Sequence, residues 1–191
     1  DPRDEDRAKE IMIAGFKETP GMMWMLGKYN QNHEGLRRLT DYCLKESQFY
    51  KGAFISLDRN TVVFIFKVSA MKNSLSLMRE QIIMFRVTGI LNAIRALRLK
   101  KKINAIRPKN GLCAWLLARD LTISGNKSTY EVKREIFEWS DRLRQPIYAE
   151  TTNSRVRTLY EKIGFVEYFT MDHPYTSGMI HFKRRDFKSV K

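Results

Sequence analysis

Leu112 to Ala118 is an unbroken apolar run, bounded by Gly111 on one side and Arg119-Asp120 on the other. Such a run suits a strand buried on both faces. The residues after it narrow the fold further. A turn containing Ser124 and Gly125 opens an amphipathic helix, whose apolar face carries Val132, Ile136, Trp139 and Leu143 at helical spacing. Ile147 to Thr151 reads as a second short strand, and a second helix comes next with Val156, Leu159, Tyr160 and Ile163 on one side. The order strand, turn, helix, strand, helix places a helix start just beyond a buried strand. The free backbone N–H groups of that helix start make a ready site for phosphate.

The rest of the chain can be laid around this stretch. Asp4 to Lys17 predicts a helix with an acidic start, broken at Thr19-Pro20-Gly21. Met22 to Leu26 is then a dense apolar, aromatic-containing turn, read as core or as a pocket wall. Asn32 to Tyr50 predicts another helix, with Leu36, Leu39, Tyr42 and Cys43 facing inward. Gly52 to Asp58 and Thr61 to Val68 predict an antiparallel hairpin around Asp58-Arg59-Asn60. The second of these strands is apolar at nearly every position, which argues for coverage on both faces. Ser74 to Lys102 is strongly helical in pattern, with a possible break at Gly89. Its end is a run of cations, Arg95, Arg98, Lys100, Lys101, Lys102, Arg107 and Lys109, read as a solvated helix end or as a polyanion site. Phe165 to Met171 and Met179 to Arg184 predict two last strands, and the basic tail after Phe187 is expected to fray.

Composition sets the class. At 191 residues and 43% hydrophobic, the chain can build a full core and is globular rather than disordered. With no apolar run of membrane length, no leader-like N-terminal pattern and only Cys43 and Cys113, the expected setting is reducing and cytoplasmic, without a membrane partner. The net charge of +14 attracts polyanions, whether nucleic acid or the phosphates of a nucleotide cofactor, unless it is only a solvated basic surface. No His/Cys spacing suggests a metal site, and none is expected.

The stretch Ala149-Glu150-Thr151-Thr152-Asn153, followed by Tyr160-Glu161-Lys162-Ile163-Gly164-Phe165, resembles the acyl-CoA-binding core of the GCN5-related N-acetyltransferase (GNAT) superfamily. Members of that family show an Asn, a Tyr seven positions later, and then Glu-Lys-Leu-Gly-Phe. Asp120 stands where the family often has the Asp before its phosphate turn. Two family glycines in that turn are Lys127 and Thr129 here, and a second family Asn is Val156.

The resemblance implies an α/β fold of the α+β type, with a central mixed, mostly antiparallel sheet flanked by helices. The sheet would splay at Leu112–Asp120 and Ile147–Thr151 to admit CoA. Residues 1–191 would form one N-acetyltransferase domain: N-terminal helices over 1–50, a helical insertion over 70–109 before the central strand, and the acyl-CoA-binding core over 111–165. It implies transfer of an acetyl group from acetyl-CoA to a primary amine by direct attack in a ternary complex. Leu117, Ala118 and Arg119 would line the pantetheine by strand-like pairing. The amides from Gly125 through Asn126 and Lys127 to Ser128 and Thr129 would cup the pyrophosphate, with the Lys127 ammonium and the two hydroxyls adding donors. Side chains at Lys127 and Thr129 could crowd that cup. Asn153 would lie near the cofactor, although it also reads as a helix N-cap.

Tyr160 is the candidate general acid, because a phenol with a pKa near ~10 is protonated at neutral pH and can donate to a leaving thiolate. The same residue also reads as a buried core Tyr. Glu150, at a strand end, is the candidate base, and His173 and His181 are the remaining ones. A catalytically silent CoA- or nucleotide-binding protein, a basic nucleic-acid-binding module and an acyltransferase for longer acyl groups stand as alternatives. The acceptor (small molecule or peptide amine) and the oligomeric state cannot be read from the residues.

Overall fold

The computed structural model describes residues 2–27, 34–71, 82, 85, 86, 88–125 and 127–188. Their elements are, in chain order, α1 (Pro2–Phe16), α2 (Pro20–Leu26), α3 (Glu34–Phe49), β1 (Ala53–Ile55), β2 (Thr61–Lys67), α4 (Ile90–Ile106), β3 (Leu112–Arg119), α5 (Lys127–Leu143), β4 (Ile147–Thr151), α6 (Ser154–Lys162), β5 (Val166–Asp172) and β6 (Met179–Arg185). The strands form one sheet in the order β1-β2-β3-β4-β6-β5. Only β3 and β4 pair in parallel; the other pairings are antiparallel. This is the mixed, mostly antiparallel sheet flanked by helices that was expected.

Two cores cover the two faces of the sheet. On one, α1, α3 and the α2 side chains pack on Val62, Phe64 and Ala118. On the other, Val132, Ile136, Phe137 and Trp139 of α5 and Tyr160 and Ile163 of α6 pack on Val63, Ile65, Leu112, Ile147 and Ala149. The apolar run of β2 is thus divided between two faces, as its unbroken composition required.

Some boundaries differ from the sequence pattern. Met22 to Leu26 is not a turn but part of α2: Pro20 opens the helix, where its missing N–H costs nothing, and Gly27 ends it at φ 49°. β1 is shorter than its hydrophobic pattern, because Ser56 turns its hydroxyl onto the amides of Asn60 and Thr61 and closes the hairpin early. Gly89 does act as a break, with φ 75° at the N-cap of α4, while residues 74–81, 83, 84 and 87 of the expected helix lie outside the described residues. Lys188 is anchored rather than frayed, its amide donating to Asp141 Oδ1 at 2.9 Å; residues 189–191 lie outside the described residues.

The relation of β3 to β4 shapes the middle of the sheet. The two strands register only at Leu112–Ile147 and Cys113–Tyr148, although both continue beyond. At the closed end the backbones approach closely: the Leu112 amide donates to the Pro146 carbonyl at 2.8 Å, and a Cβ on Gly111 would lie 2.6 Å from the Tyr148 ring and 2.7 Å from that carbonyl. Gly111 also holds φ 125°, a region other residues avoid. On its other edge β3 carries an extra residue, Trp115, where pairing to β2 steps from Leu116–Phe64 to Ala114–Ile65. The bulge increases the local twist and turns the far half of β3 away from β4. Trp115 and Leu116 consequently both pack toward the α1/α3 side.

Beyond β3, Asp120 ties three segments together. Its Oδ1 accepts from the Thr122 amide at 2.8 Å and hydroxyl at 2.6 Å, and its other oxygen takes the Arg7 guanidinium of α1. Those Thr122 bonds, with Arg7, hold the Asp120 carboxyl down at about 2.

Both contacts can be tested by substitution. Gly111→Ala should destabilise the protein by on the order of 2 kcal/mol, read from denaturant unfolding, because the new Cβ meets backbone at a positive φ. Asp120→Asn should lower the denaturant midpoint at pH 7. An unfolded Asp titrates near ~3.9, so the contribution of the ionised Asp120 is whole above about pH 5 and is lost as pH falls through the folded value. The gap between variant and wild type therefore closes toward pH 2.

Candidate active site

The parted strands leave the β4-facing edge of β3 without a strand partner from Ala114 onward among the described residues. Backbone groups on such an edge seek hydrogen bonds. Leu117 is exposed on this half of β3. Ala118 is buried, its Cβ standing 3.0 Å from where a Cβ on Gly15 of α1 would lie, so only its backbone faces the opening. Arg119 reaches forward, its Nη1 donating to the Gly125 carbonyl at 2.8 Å, and so braces the turn that leads to α5.

That turn is open. Gly125 holds φ 92° and nothing stands within 4 Å of the place a Cβ would occupy. Lys127 is exposed at the first position of α5. Thr129 turns its hydroxyl inward to Thr61 Oγ1 at 3.3 Å, and the buried Ser128 hydroxyl meets the same atom at 3.0 Å. The two hydroxyls thus dock α5 on β2, and the first-turn amides are left as the donors at the helix start. Asn126 lies outside the described residues.

Asn153 caps α6: its Oδ1 accepts from the amides of Arg155 at 2.9 Å and Val156 at 3.2 Å. At the other end of α6 the motif Tyr160-Glu161-Lys162-Ile163-Gly164-Phe165 acquires a physical reason. Gly164 takes φ 94°, its amide donates to the Glu161 carbonyl at 3.1 Å, and the Phe165 amide donates to the Tyr160 carbonyl at 2.9 Å. Phe165 then folds onto the Tyr160 ring at 5.0 Å, and Glu161 takes the buried Lys183 ammonium of β6 at 2.7 Å. Tyr160 is therefore held from both sides. Burial, then the nearby Glu150 carboxylate and Cys113 thiol, push its hydroxyl up to about 12. It stays protonated at every physiological pH. Burial likewise pushes the Cys113 thiol up to about 12, which leaves it inert.

Glu150 ends β4 on the opposite face of the sheet. Both its oxygens are engaged by Arg107, from Nε at 2.8 Å and Nη2 at 2.7 Å. Burial works against the Arg107 charge, but the Glu150 carboxylate outweighs it and raises Arg107 above its ordinary value. Arg107 belongs to the cation run that was read as solvated; it is buried, while Arg98, Lys101, Lys102 and Lys109 are exposed.

A cavity of about 330 Å³ opens on this face. Its walls come from α2, α3, α4 and the bulged part of β3, with Trp24, Tyr42, Phe66, Leu97, Ile103 and Trp115 among its lining. The α4 wall falls within the expected helical insertion. Glu150 and Arg107 stand at its β4 side, and Glu46 of α3 and Lys100 of α4 form a second ion pair within it. His173 also lines it, stacked edge-on against Trp24, which in turn lies flat on Tyr175 with centroids 5.2 Å apart. The His173 Nδ1 accepts from the Tyr175 amide at 3.3 Å, so Nε2 carries the ring proton in the neutral form that burial favours. That arrangement does not suit a base. His181 pairs with Glu167 at 2.8 Å and is not part of the cavity lining.

The site therefore brings together Glu150, Arg107 and the cavity on one face of the opening and Tyr160 on the other. Glu46 and Trp115 escaped sequence reasoning, and Arg107 and Lys100 were read only as members of a cation run. The signal for Glu46 was its position on the stripe Leu36, Leu39, Cys43, Glu46, which put a carboxylate on an apolar helix face.

No family model matches the chain, and no curated protein sequence is similar to it. Solved structures are similar. A structure described as histone acetyltransferase HPA2 and related acetyltransferase, from Corynebacterium glutamicum, aligns with 100% of this chain and 96% of its own at a TM-score of 0.66 and 14% identity. The C-terminal condensation domain of Ebony, in complex with beta-alanyl-dopamine, aligns over 95% of this chain and 94% of its own, with a TM-score of 0.64 and 8% identity. A Drosophila melanogaster polyamine N-acetyltransferase, which catalyses the formation of N-acetylagmatine, aligns over 98% and 97%, with a TM-score of 0.58 and 12% identity. These likenesses, with the parted strands and the sheet order, show that the chain has the fold of the GNAT superfamily.

Proposed function

We propose that this protein is an acyltransferase that moves an acetyl group from acetyl-CoA to the primary amine of an acceptor, by direct attack in a ternary complex. The observation that carries this reading is the opening between β3 and β4, with a helix N-terminus at one end and a cavity on one face. The amine acceptors of structural neighbours, named for polyamine and agmatine acetylation, support the same reading.

The residues present fit the donor. The β4-facing edge of β3, at Leu117, Ala118 and Arg119, offers backbone groups to the amides of a pantetheine arm. The open turn at Gly125 and the first-turn amides of α5 would hold the pyrophosphate, with Lys127 adding charge and Asn153 fixing the neighbouring helix start. The inward turn of Ser128 and Thr129 keeps their hydroxyls out of the cup. Acetyl-CoA supplies an activated acetyl thioester.

Transfer forms a C–N bond and breaks a C–S bond. One proton must leave the amine and one must reach the departing sulfur. Tyr160 holds a proton on the α6 side of the opening and would supply it to the sulfur. Glu150 faces the cavity, and each of its oxygens keeps a second lone pair beside the Arg107 bond, through which it would accept the amine proton by way of a water. Arg107 fixes the direction of that carboxylate. A second reading, binding without turnover, is favoured by the same bidentate clamp, since a carboxylate so engaged is a restrained base.

Calorimetric titration with acetyl-CoA at moderate and at high salt tests the donor site. One-site binding that survives salt is expected; absence of binding at both salts would remove the proposal. Tyr160→Phe should lower kcat by about 100-fold while acetyl-CoA affinity stays within a few-fold of wild type. Unchanged turnover at saturating substrate would take Tyr160 out of its role.

A further inference from the structure

Among the described residues, Glu46 has the buried carboxylate oxygen that lacks a hydrogen-bond partner. It sits on α3 at 2% exposure, within the apolar wall of the cavity. A buried carboxylate is costly to hold unless its oxygens are paired. Here Oε1 takes the Lys100 ammonium, and Oε2 has no hydrogen-bond partner. Burial first, and then Glu46, raise the Tyr42 hydroxyl and the Tyr50 hydroxyl, the latter to about 12.

Lys100 shows what this spot accepts. Its Nζ lies against the Glu46 carboxylate and 5.7 Å from the centre of the Trp115 ring. A carboxylate with an aromatic face is the combination that recognises an ammonium. Lys100 is not locked there. Its side chain is 38% exposed, on the surface of α4, so it can swing into water, where its charge is fully hydrated. Trp115 is the bulged residue of β3, which puts the same aromatic ring at the parted strands.

We propose that Glu46 and Trp115 form a subsite for a second cationic group on the acceptor, and that Lys100 fills it until the acceptor arrives. The inference rests on the amine-acetylation reading and deepens it. The cation held at Glu46 is not the attacking nitrogen: an ammonium on a buried carboxylate stays protonated, and attack needs a neutral amine. The acceptor class is therefore a diamine, or an amine with a second basic group. The diamine's cation takes over the bond to the carboxylate and satisfies Oε2, and the Lys100 ammonium is released to solvent. No net charge is added to the cavity.

The probes are butane-1,4-diamine and butylamine, which share a chain and differ by one cation. Both are followed by acetylation kinetics and, without acetyl-CoA, by calorimetry. The wild type should favour the diamine in kcat/KM by roughly tenfold, the worth of one charged hydrogen bond. Glu46→Gln should erase that preference through KM, with kcat for either amine little changed. Lys100→Met keeps the carboxylate and removes its internal competitor, so it should tighten diamine binding and leave kcat/KM for butylamine as before, since butylammonium held at Glu46 is held non-productively. If Glu46→Gln does not fold, Lys100→Met decides alone.

A diamine preference that survives Glu46→Gln, or diamine binding weakened by Lys100→Met, overturns the subsite. Equal wild-type handling of the two amines in both assays overturns it as well, while leaving acetyl transfer standing. Glu46-dependent diamine binding in calorimetry without any turnover supports the subsite and removes the transferase reading.

Discussion

The site depends on two parallel strands that begin as partners and do not stay so. β3 and β4 register at Leu112–Ile147 and Cys113–Tyr148 and then part. Gly111 allows their backbones to close at one end, and the extra residue Trp115 turns β3 aside at the other. A continuous sheet would satisfy its own backbone groups and offer nothing to a ligand. The parting exposes one edge in the middle of the molecule, where both faces are covered by helices and the opening is flanked by packed cores. A phenol then stands on the α6 side, and a carboxylate and a cavity stand on the α3/α4 side.

Charge is organised around the same opening. A chain of net charge +14 would be expected to keep its cations on the surface. Several are instead buried and paired: Arg107 with Glu150, Lys183 with Glu161 and Glu167, and Arg185 with Asp141. Such pairs add little net stability once desolvation is counted, but breaking one strands a charge, so each fixes a geometry. Lys183 sets α6, and with it Tyr160, against β6. Arg185 fixes the start of β4 by joining the end of β6 to α5, with its guanidinium 3.9 Å over the Phe137 ring. Arg107 sets the direction of Glu150. The pair in the cavity, Glu46 with Lys100, leaves a buried carboxylate oxygen without a hydrogen-bond partner.

Local signals were legible wherever the physics is local. The apolar run from Leu112 and the Asn153 cap each depend on a few neighbouring residues, and each is realised where the pattern placed it. Tyr160 stood out only through the resemblance of the Asn153-to-Tyr160 spacing to a family motif; its own surroundings read equally as a core position. Of the two readings offered for Asn153 and for Tyr160, the structure realises the local one in each case: Asn153 is a helix cap, and Tyr160 packs against Phe165. Lys127 and Thr129 looked like obstacles because sequence does not show which way a side chain turns, and Thr129 turns to Thr61.

The sequence by itself determined the alternation of strands and helices, the two-sided burial of the central strands and the helix that Asn153 caps, because hydrophobic period and capping act within a few residues. Only the tertiary structure decided where β3 leaves β4, which members of the Arg95–Lys109 run are buried, and that a carboxylate from α3 meets an ammonium from α4 beside Trp115. Those contacts join residues 43 to 54 positions apart in the chain, Arg107 with Glu150 and Glu46 with Lys100. They arise from how whole elements pack, and no local pattern of side chains carries that information.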